Sequence, residues 1–203
     1  SGLVYRPNPI QSSGNTSLSD NSDNTSTALD AERVRVDLLG LDEGYDTLRG
    51  EFVDLVSLPG GLNVADAVSP SRIYDYTRDQ NQFEQVNIYS TVDSLARYIE
   101  SLGFNDDVGV PNGIRDRPTL AHAHWNFQDN SFYSTGDDAI HFGRGGVDDA
   151  EDADIIVHEF GHAIHFDQNA CWSGGETGAM GEGFGDYLAA SFFADVGDSA
   201  HQT

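Results

Sequence analysis

"HEFGHAIHF", residues 158–166, sets a glutamate between two histidines four positions apart. On a helix, positions i and i+4 stand on one face a turn apart, so His158 and His162 can aim two imidazoles at one point. Glu159 follows the first histidine directly and is placed to reach a water beside that point rather than the point itself. The pattern suits a zinc ion, which takes imidazole nitrogens and, in a reactive site, keeps one position open beside three protein ligands. So short a motif also arises by chance, and its reading depends on the chain around it.

That chain extends the pattern. "GAMGEGFGDYLAA" (178–190) carries Glu182 and Asp186, again four apart, on a second helix expected from Thr177 to Phe193. Glu182 is the expected third metal ligand, and Asp186 the acceptor for the ring N–H of a ligand histidine, fixing its tautomer and orientation. Glycines at 178, 181, 183 and 185 each cost about 1 kcal/mol in a helix relative to alanine. A close approach of two helices around a shared ion explains tolerating them. Ahead of the motif, "GRGG" (143–146) breaks the chain and "VDDAEDADIIVHEFGHAIHF" (147–166) reads as one long helix. Its early carboxylates suit the positive end of the helix dipole.

The rest of the sequence reads as mixed α and β. "QSSGNTSLSDNSDNTSTALD" (11–30) is almost free of apolar residues and reads as a loop or linker. Residues 1–30 are expected to be a flexible segment, with one domain over 31–203. "RVRVDLL" (33–39) and "GEFVDLVSL" (50–58) are strand candidates. "NIYSTVDSLARYIESLGF" (87–104) predicts a helix with Val92, Leu95, Ala96, Ile99 and Leu102 on one face, Ser90 or Thr91 as its cap and Gly103 as its stop. Between 120 and 143 the pattern turns to strands.

Composition excludes some partners. The chain has 34 acidic against 10 basic residues, a formal charge of −24, and all the basic residues are arginines. Nucleic-acid binding needs a basic surface and is not expected. No run approaches the roughly 18 apolar residues of a membrane span, and "SGLVYRPNP" at the start has no signal-peptide pattern. Cys171 is the single cysteine, so no internal disulfide forms.

With these motifs in view, the sequence resembles the thermolysin-like metallopeptidases, the gluzincin group, and within it the fungalysin-type bacterial members. "HEFGH", 19 intervening residues and "EGFGD" resemble the group's HExxH and ExxxD pair, and "GAMGEGFGDYLA" is similar to the fungalysin pattern GGMGEGWSD. "DNSFYSTGDDAIHFGRGG" (129–146) resembles the family's substrate-binding edge strand. The clear match runs from about 120 to 190, with residues 1–119 matching only loosely.

The resemblance implies an α+β fold of the thermolysin-like zincin N-terminal part. That fold has a bent β-sheet with an edge strand at the cleft, an active-site helix and a glutamate helix. It implies a secreted zinc endopeptidase with one catalytic Zn2+ on His158, His162 and Glu182, Glu159 as general base and Asp186 behind a ligand histidine. Asn130 and Ser131 would pair with the substrate backbone by strand addition. The partner implied is a peptide or protein substrate, with no nucleic acid and no membrane. The family's C-terminal helical lobe is expected to be absent from this chain, and that lobe is a candidate partner.

Some positions depart from the family. Where it has an oxyanion-steadying tyrosine, this chain has Ser173 beside Trp172, and His201 comes too early for the family's later histidine. Ca2+ is the second cation considered. Asp154 matches a family calcium ligand, but Phe193 stands where its acidic counterpart would be. "NDDVGVPNGIRD" (105–116) is an oxygen-rich loop without EF-hand spacing. His122, His124, His141 and His165 are read as core or surface histidines without a ligand role. The alternative from another class is a zinc-binding but catalytically incomplete fragment acting as a structural or interaction module. A gluzincin aminopeptidase is the weaker third reading, since that family usually has 18 intervening residues and a GxMEN-type motif, neither present here.

Overall fold

The computed structural model describes residues 1–18, 24–104, 114–115, 117–169 and 174–195. The loop at 105–116 (apart from Ile114 and Arg115), Cys171, Trp172, Ser173 and His201 lie outside the described residues. The architecture is α+β. The strands are β1 (Gly2–Val4), β2 (Val34–Val36), β3 (Val53–Leu55), β4 (Thr119–Asn126), β5 (Phe132–Ser134) and β6 (Ala139–Gly143). The helices are α1 (Pro9–Ser13), α2 (Thr27–Ala31), α3 (Gln82–Ser101), α4 (Ala153–Gln168) and α5 (Gly175–Phe192).

Among the described residues, β1 and β2 make an antiparallel ribbon, and a four-stranded sheet runs in the order β3-β4-β6-β5. β3, β4 and β6 are parallel, while β5 lies antiparallel on β6 and forms one edge. The β4–β6 register shifts between His122 and Asn126, an irregularity of the kind that bends a strand. Every residue of β3 and β6 is buried. This is the both-faces-covered pattern of parallel strands, which suppresses strict alternation.

α3 crosses the centre of the molecule. Phe83, Val86, Tyr89, Val92, Leu95, Ala96 and Ile99 recur at three- and four-residue steps and join the core of Val53, Ile140, Phe142, Ile156, Val157 and Phe160. The helix begins at Gln82, five residues before the expected start, with Ser90 and Thr91 buried inside it rather than capping it. Phe83 and Val86 continue the apolar face backward, and that burial outweighs the capping preference of the two hydroxyl residues. Gly103, at φ 97°, follows the last turn as expected; its missing Cβ allows the left-handed conformation.

The expectation of a flexible segment over 1–30 is corrected for its first part. β1 pairs with β2, and Val4 and Tyr5 are buried. The Tyr5 amide donates to Asn87 Oδ1 at 3.0 Å, and the Ala153 amide donates to Pro7 O at 3.0 Å. The N-terminal strand is thus tied across α3 to the start of α4, and the apolar run "LVY" supplies burial that the polar stretch after it lacks. α1 begins at the side-chain cap Asn8, and α2 follows Ser26, whose hydroxyl accepts from the Leu29 amide.

The lead into α4 also differs. A 3-10 turn occupies Asp149–Glu151, and α4 proper starts at Ala153, capped by the Asp152 side chain. The early carboxylates mostly hold tertiary partners instead of compensating the dipole. Asp149 accepts from Ser131 Oγ at 2.6 Å, and Glu151 pairs with the buried Arg78 through both oxygens at 2.7–3.0 Å.

Candidate metal centre

α4 lies between the core and α5. Ile156, Val157, Phe160, Ala163 and Ile164 turn inward and fix the helix's rotation, leaving His158 and His162 on the half-open side. α5 comes close because its contact stripe is small. Gly181, Gly185 and Ala189 are its buried positions, and a Cβ on Gly161 would stand 3.2 Å from Gly185 Cα. The expected role of the glycines therefore holds for Gly185, and Gly181 is buried with it. Gly178 and Gly183 face open space, so close approach does not account for them.

This packing brings three donor atoms together. His158 Nε2 lies 3.1 Å from His162 Nε2 and 3.1 Å from Glu182 Oε2, and His162 Nε2 lies 3.6 Å from Glu182 Oε2. Ligands held about 2.05 Å from a tetrahedral zinc are about 3.3 Å apart, and the three separations bracket that value. Two imidazoles and a carboxylate are also the donor types zinc accepts. The Glu182 side chain is 65% exposed, so the triangle opens toward solvent on that side. Asp186 Oδ1 accepts from His158 Nδ1 at 2.9 Å. That bond places the proton on Nδ1 and leaves the Nε2 lone pair directed at the other two donors.

Glu159 sits behind this triangle, buried between α4 and the edge strand β5. Burial first, and then the negative charge of Glu182, push its carboxyl up to about 7, against His158 and a hydrogen bond from the Tyr133 backbone. Its Oε2 has no hydrogen-bond partner. Asn130 is exposed just before β5, while Ser131 is half-buried, its hydroxyl donating to Asp149 and accepting from the Gly143 amide at 3.2 Å. The Ser131 side chain is therefore committed inward, and the peptide backbone of this edge is what it can present.

The remaining histidines differ. His122 is buried, accepting from the Leu58 amide at 2.8 Å on Nδ1 and facing Leu62 O at 3.2 Å on Nε2, so both nitrogens are satisfied. Burial lowers its pKa, in keeping with a neutral core ring. His141 meets Asp137 at 3.1 Å, and His165 lies against Phe184 at 4.2 Å. Among the described residues, two groups of three ligand-type side chains converge, and Asp154 belongs to neither. Its carboxylate accepts from Gln11 Nε2, and Phe193 is buried.

The second group is His124 with Glu84 and Asp148, all buried. Its members come from β4, α3 and the turn before α4, 40 and 24 residues apart. No local spacing announces such a set. The nearest sequence signal was the H-x-H alternation of His122 and His124, which points to a shared face without naming partners.

No protein-family model matches the chain, and no curated protein matches it.

Proposed function

We propose that the chain is a thermolysin-like zinc endopeptidase, cleaving internal peptide bonds with a water as nucleophile. The observation that carries this reading is the convergence of His158 Nε2, His162 Nε2 and Glu182 Oε2 at 3.1–3.6 Å, with a buried carboxylate, Glu159, between them and a sheet edge. A zinc ion held by those three atoms would polarise a carbonyl and lower the pKa of a water.

The protein residues have distinct parts in that reaction. Glu159 Oε2, buried and unpartnered, takes the proton of the attacking water and returns it to the leaving amine. Asp186 keeps His158 in the tautomer whose Nε2 is a ligand. β5, as the sheet's outer strand, offers backbone groups to an extended substrate, with Asn130 and Ser131 at its start. Turnover of an end-blocked substrate separates this reading from an aminopeptidase, which needs a free N-terminus.

The test is zinc content together with cleavage of an internally quenched, end-blocked peptide by wild type and Glu159→Gln. We expect one zinc at the His158 site in both proteins and a fall in turnover of at least about 100-fold in the variant. Zinc without turnover in either would favour a catalytically incomplete metal-binding module. No zinc at His158 and His162 in a folded protein would overturn the proposal.

A further inference from the structure

Glu84, His124 and Asp148 have no part in the chemistry above, and their burial is extreme. Glu84 and His124 are 0% exposed and Asp148 6%. One ligand atom from each lies within 4.8 Å of the other two. Neither oxygen of Glu84 completes a hydrogen bond, nor does His124 Nδ1. Buried charged groups are ordinarily paired, protonated or bound to a metal.

The geometry favours the last. His124 Nε2 lies 3.0 Å from Asn81 O, a contact that places a proton on Nε2 and leaves Nδ1 as a lone pair. That lone pair stands 3.5 Å from Asp148 Oδ2, so two acceptors face each other. On the other side, Glu84 Oε2 is 3.4 Å from Nε2. A protonated imidazole bridging the carboxylates would make charge-assisted bonds of about 2.7–2.9 Å, and both separations exceed that. The Nδ1–Asp148 separation is that of two atoms sharing one ion about 2.1 Å away, with Glu84 beside them. A histidine ligand whose second nitrogen donates to a backbone carbonyl is also a common arrangement in metal sites.

The local charge balance points the same way. Arg78 is taken up by Glu151. Burial, and after it the charges of Glu84 and Asp148, raise the Glu151 carboxyl despite that arginine. Three carboxylates therefore share this buried region.

We infer that Glu84, His124 Nδ1 and Asp148 form a second, structural metal site for a divalent transition ion of the Zn2+ or Mn2+ type. An imidazole with two carboxylates suits such ions, whereas Ca2+ takes oxygen ligands alone. Full burial makes the site closed, the form of structural rather than catalytic centres. It would clamp α3, β4 and the turn leading into α4, the three elements that position the HEFGH helix. The inference does not depend on the peptidase reading.

The test uses the full chain with His158→Ala and His162→Ala, which removes the open site while leaving the core untouched. Refolded in micromolar Zn2+ or Mn2+ and then desalted, this variant is expected to retain about one ion per chain, wild type one more in Zn2+, and chelator treatment to lower the variant's Tm. Adding Glu84→Gln, which keeps the side-chain volume, should weaken the retained ion's binding at least tenfold; Asp148→Asn serves the same purpose if the first does not fold. A folded double-alanine variant that holds no ion, or an ion bound as tightly after either carboxamide change, would overturn the inference. Wild type holding no more ion than the double-alanine variant would instead count against the His158 site.

Discussion

Gly185 and Gly183 lie on the same helix two residues apart and give a sharp internal comparison. A Cβ at 185 would sit 2.8 Å from His158 Nδ1, 2.9 Å from its Cγ and 3.1 Å from its Cε1. Comfortable contacts are about 3.5 Å or more, so Gly185→Ala pushes the ring back by about 0.7 Å. The atom met first is the one that Asp186 holds at 2.9 Å, so the ring cannot move without loosening that bond. Metal–ligand distances tolerate only about ±0.2 Å, and disturbing an orienting partner typically costs 10–100-fold in metal affinity. We expect that loss in Gly185→Ala, about 1.4–2.8 kcal/mol. The metal-free protein should be nearly as stable as wild type, because alanine's helix preference of about 1 kcal/mol offsets part of the strain.

Gly183→Ala makes the same chemical change where nothing lies within 4 Å. It should gain about 1 kcal/mol, or about 2–4 °C in Tm, with zinc affinity unchanged. Competition with a chromophoric chelator reads the affinities, and scanning calorimetry of the metal-free proteins reads the stabilities. Zinc binding within twofold of wild type in Gly185→Ala, or an equal loss in Gly183→Ala, would refute the argument that the α4–α5 contact sets the ligand geometry.

Two further predictions concern the ion pairs. Although partial burial works the other way, hydrogen bonds from Tyr133, Arg115 and Arg117 hold the Asp138 carboxyl down at about 2. Its stabilising contribution is thus complete above the unfolded carboxylate value of about 3.9 and is lost as pH falls toward 2. Asp138→Asn should cost about 1–3 kcal/mol at pH 7, discounted because Asp138 is part-exposed, and urea titrations should show the gap to wild type closing between pH 4 and 2. Asparagine tolerates the left-handed backbone at this position (φ 55°), so a gap that stays constant with pH would point away from the ion pairs. Arg78→Met strips Glu151 of its buried partner and should cost about 3–5 kcal/mol. That is a Tm fall of about 6–20 °C, and a variant melting within 2 °C of wild type would contradict it.

What could be read from the sequence was what is local in it. His158, His162, Glu182 and Asp186 are legible because each pair lies a single turn apart on its own helix, and one helix contact then joins the pairs. β4, β5 and β6 were legible as strands, and β5 as an edge from its resemblance to one. Features set by distant partners were not. The start of α3 follows from where Phe83 and Val86 find apolar neighbours, which no cap residue announces. The acids ahead of α4 look like dipole compensation in the sequence, yet Asp149 and Glu151 answer Ser131 and Arg78 from 18 and 73 residues away.

The same limit explains the glycines and the buried triad. Four glycines in one helix suggest a uniform cause, but α5 turns only one stripe toward α4, and a helix advances about 100° per residue. Gly181 and Gly185 fall on that stripe, one turn apart, and Gly183 falls opposite. Spacing within the helix could have set Gly183 apart, but not Gly178, which lies three residues before Gly181 on the same face and still meets open space. Glu84, His124 and Asp148 offered no such handle. Each looks ordinary within its own element, and only the packing of α3 against β4 and the turn before α4 makes them neighbours. Chemistry that depends on i,i+4 geometry is therefore visible in a single sequence, whereas chemistry assembled across elements needs the fold.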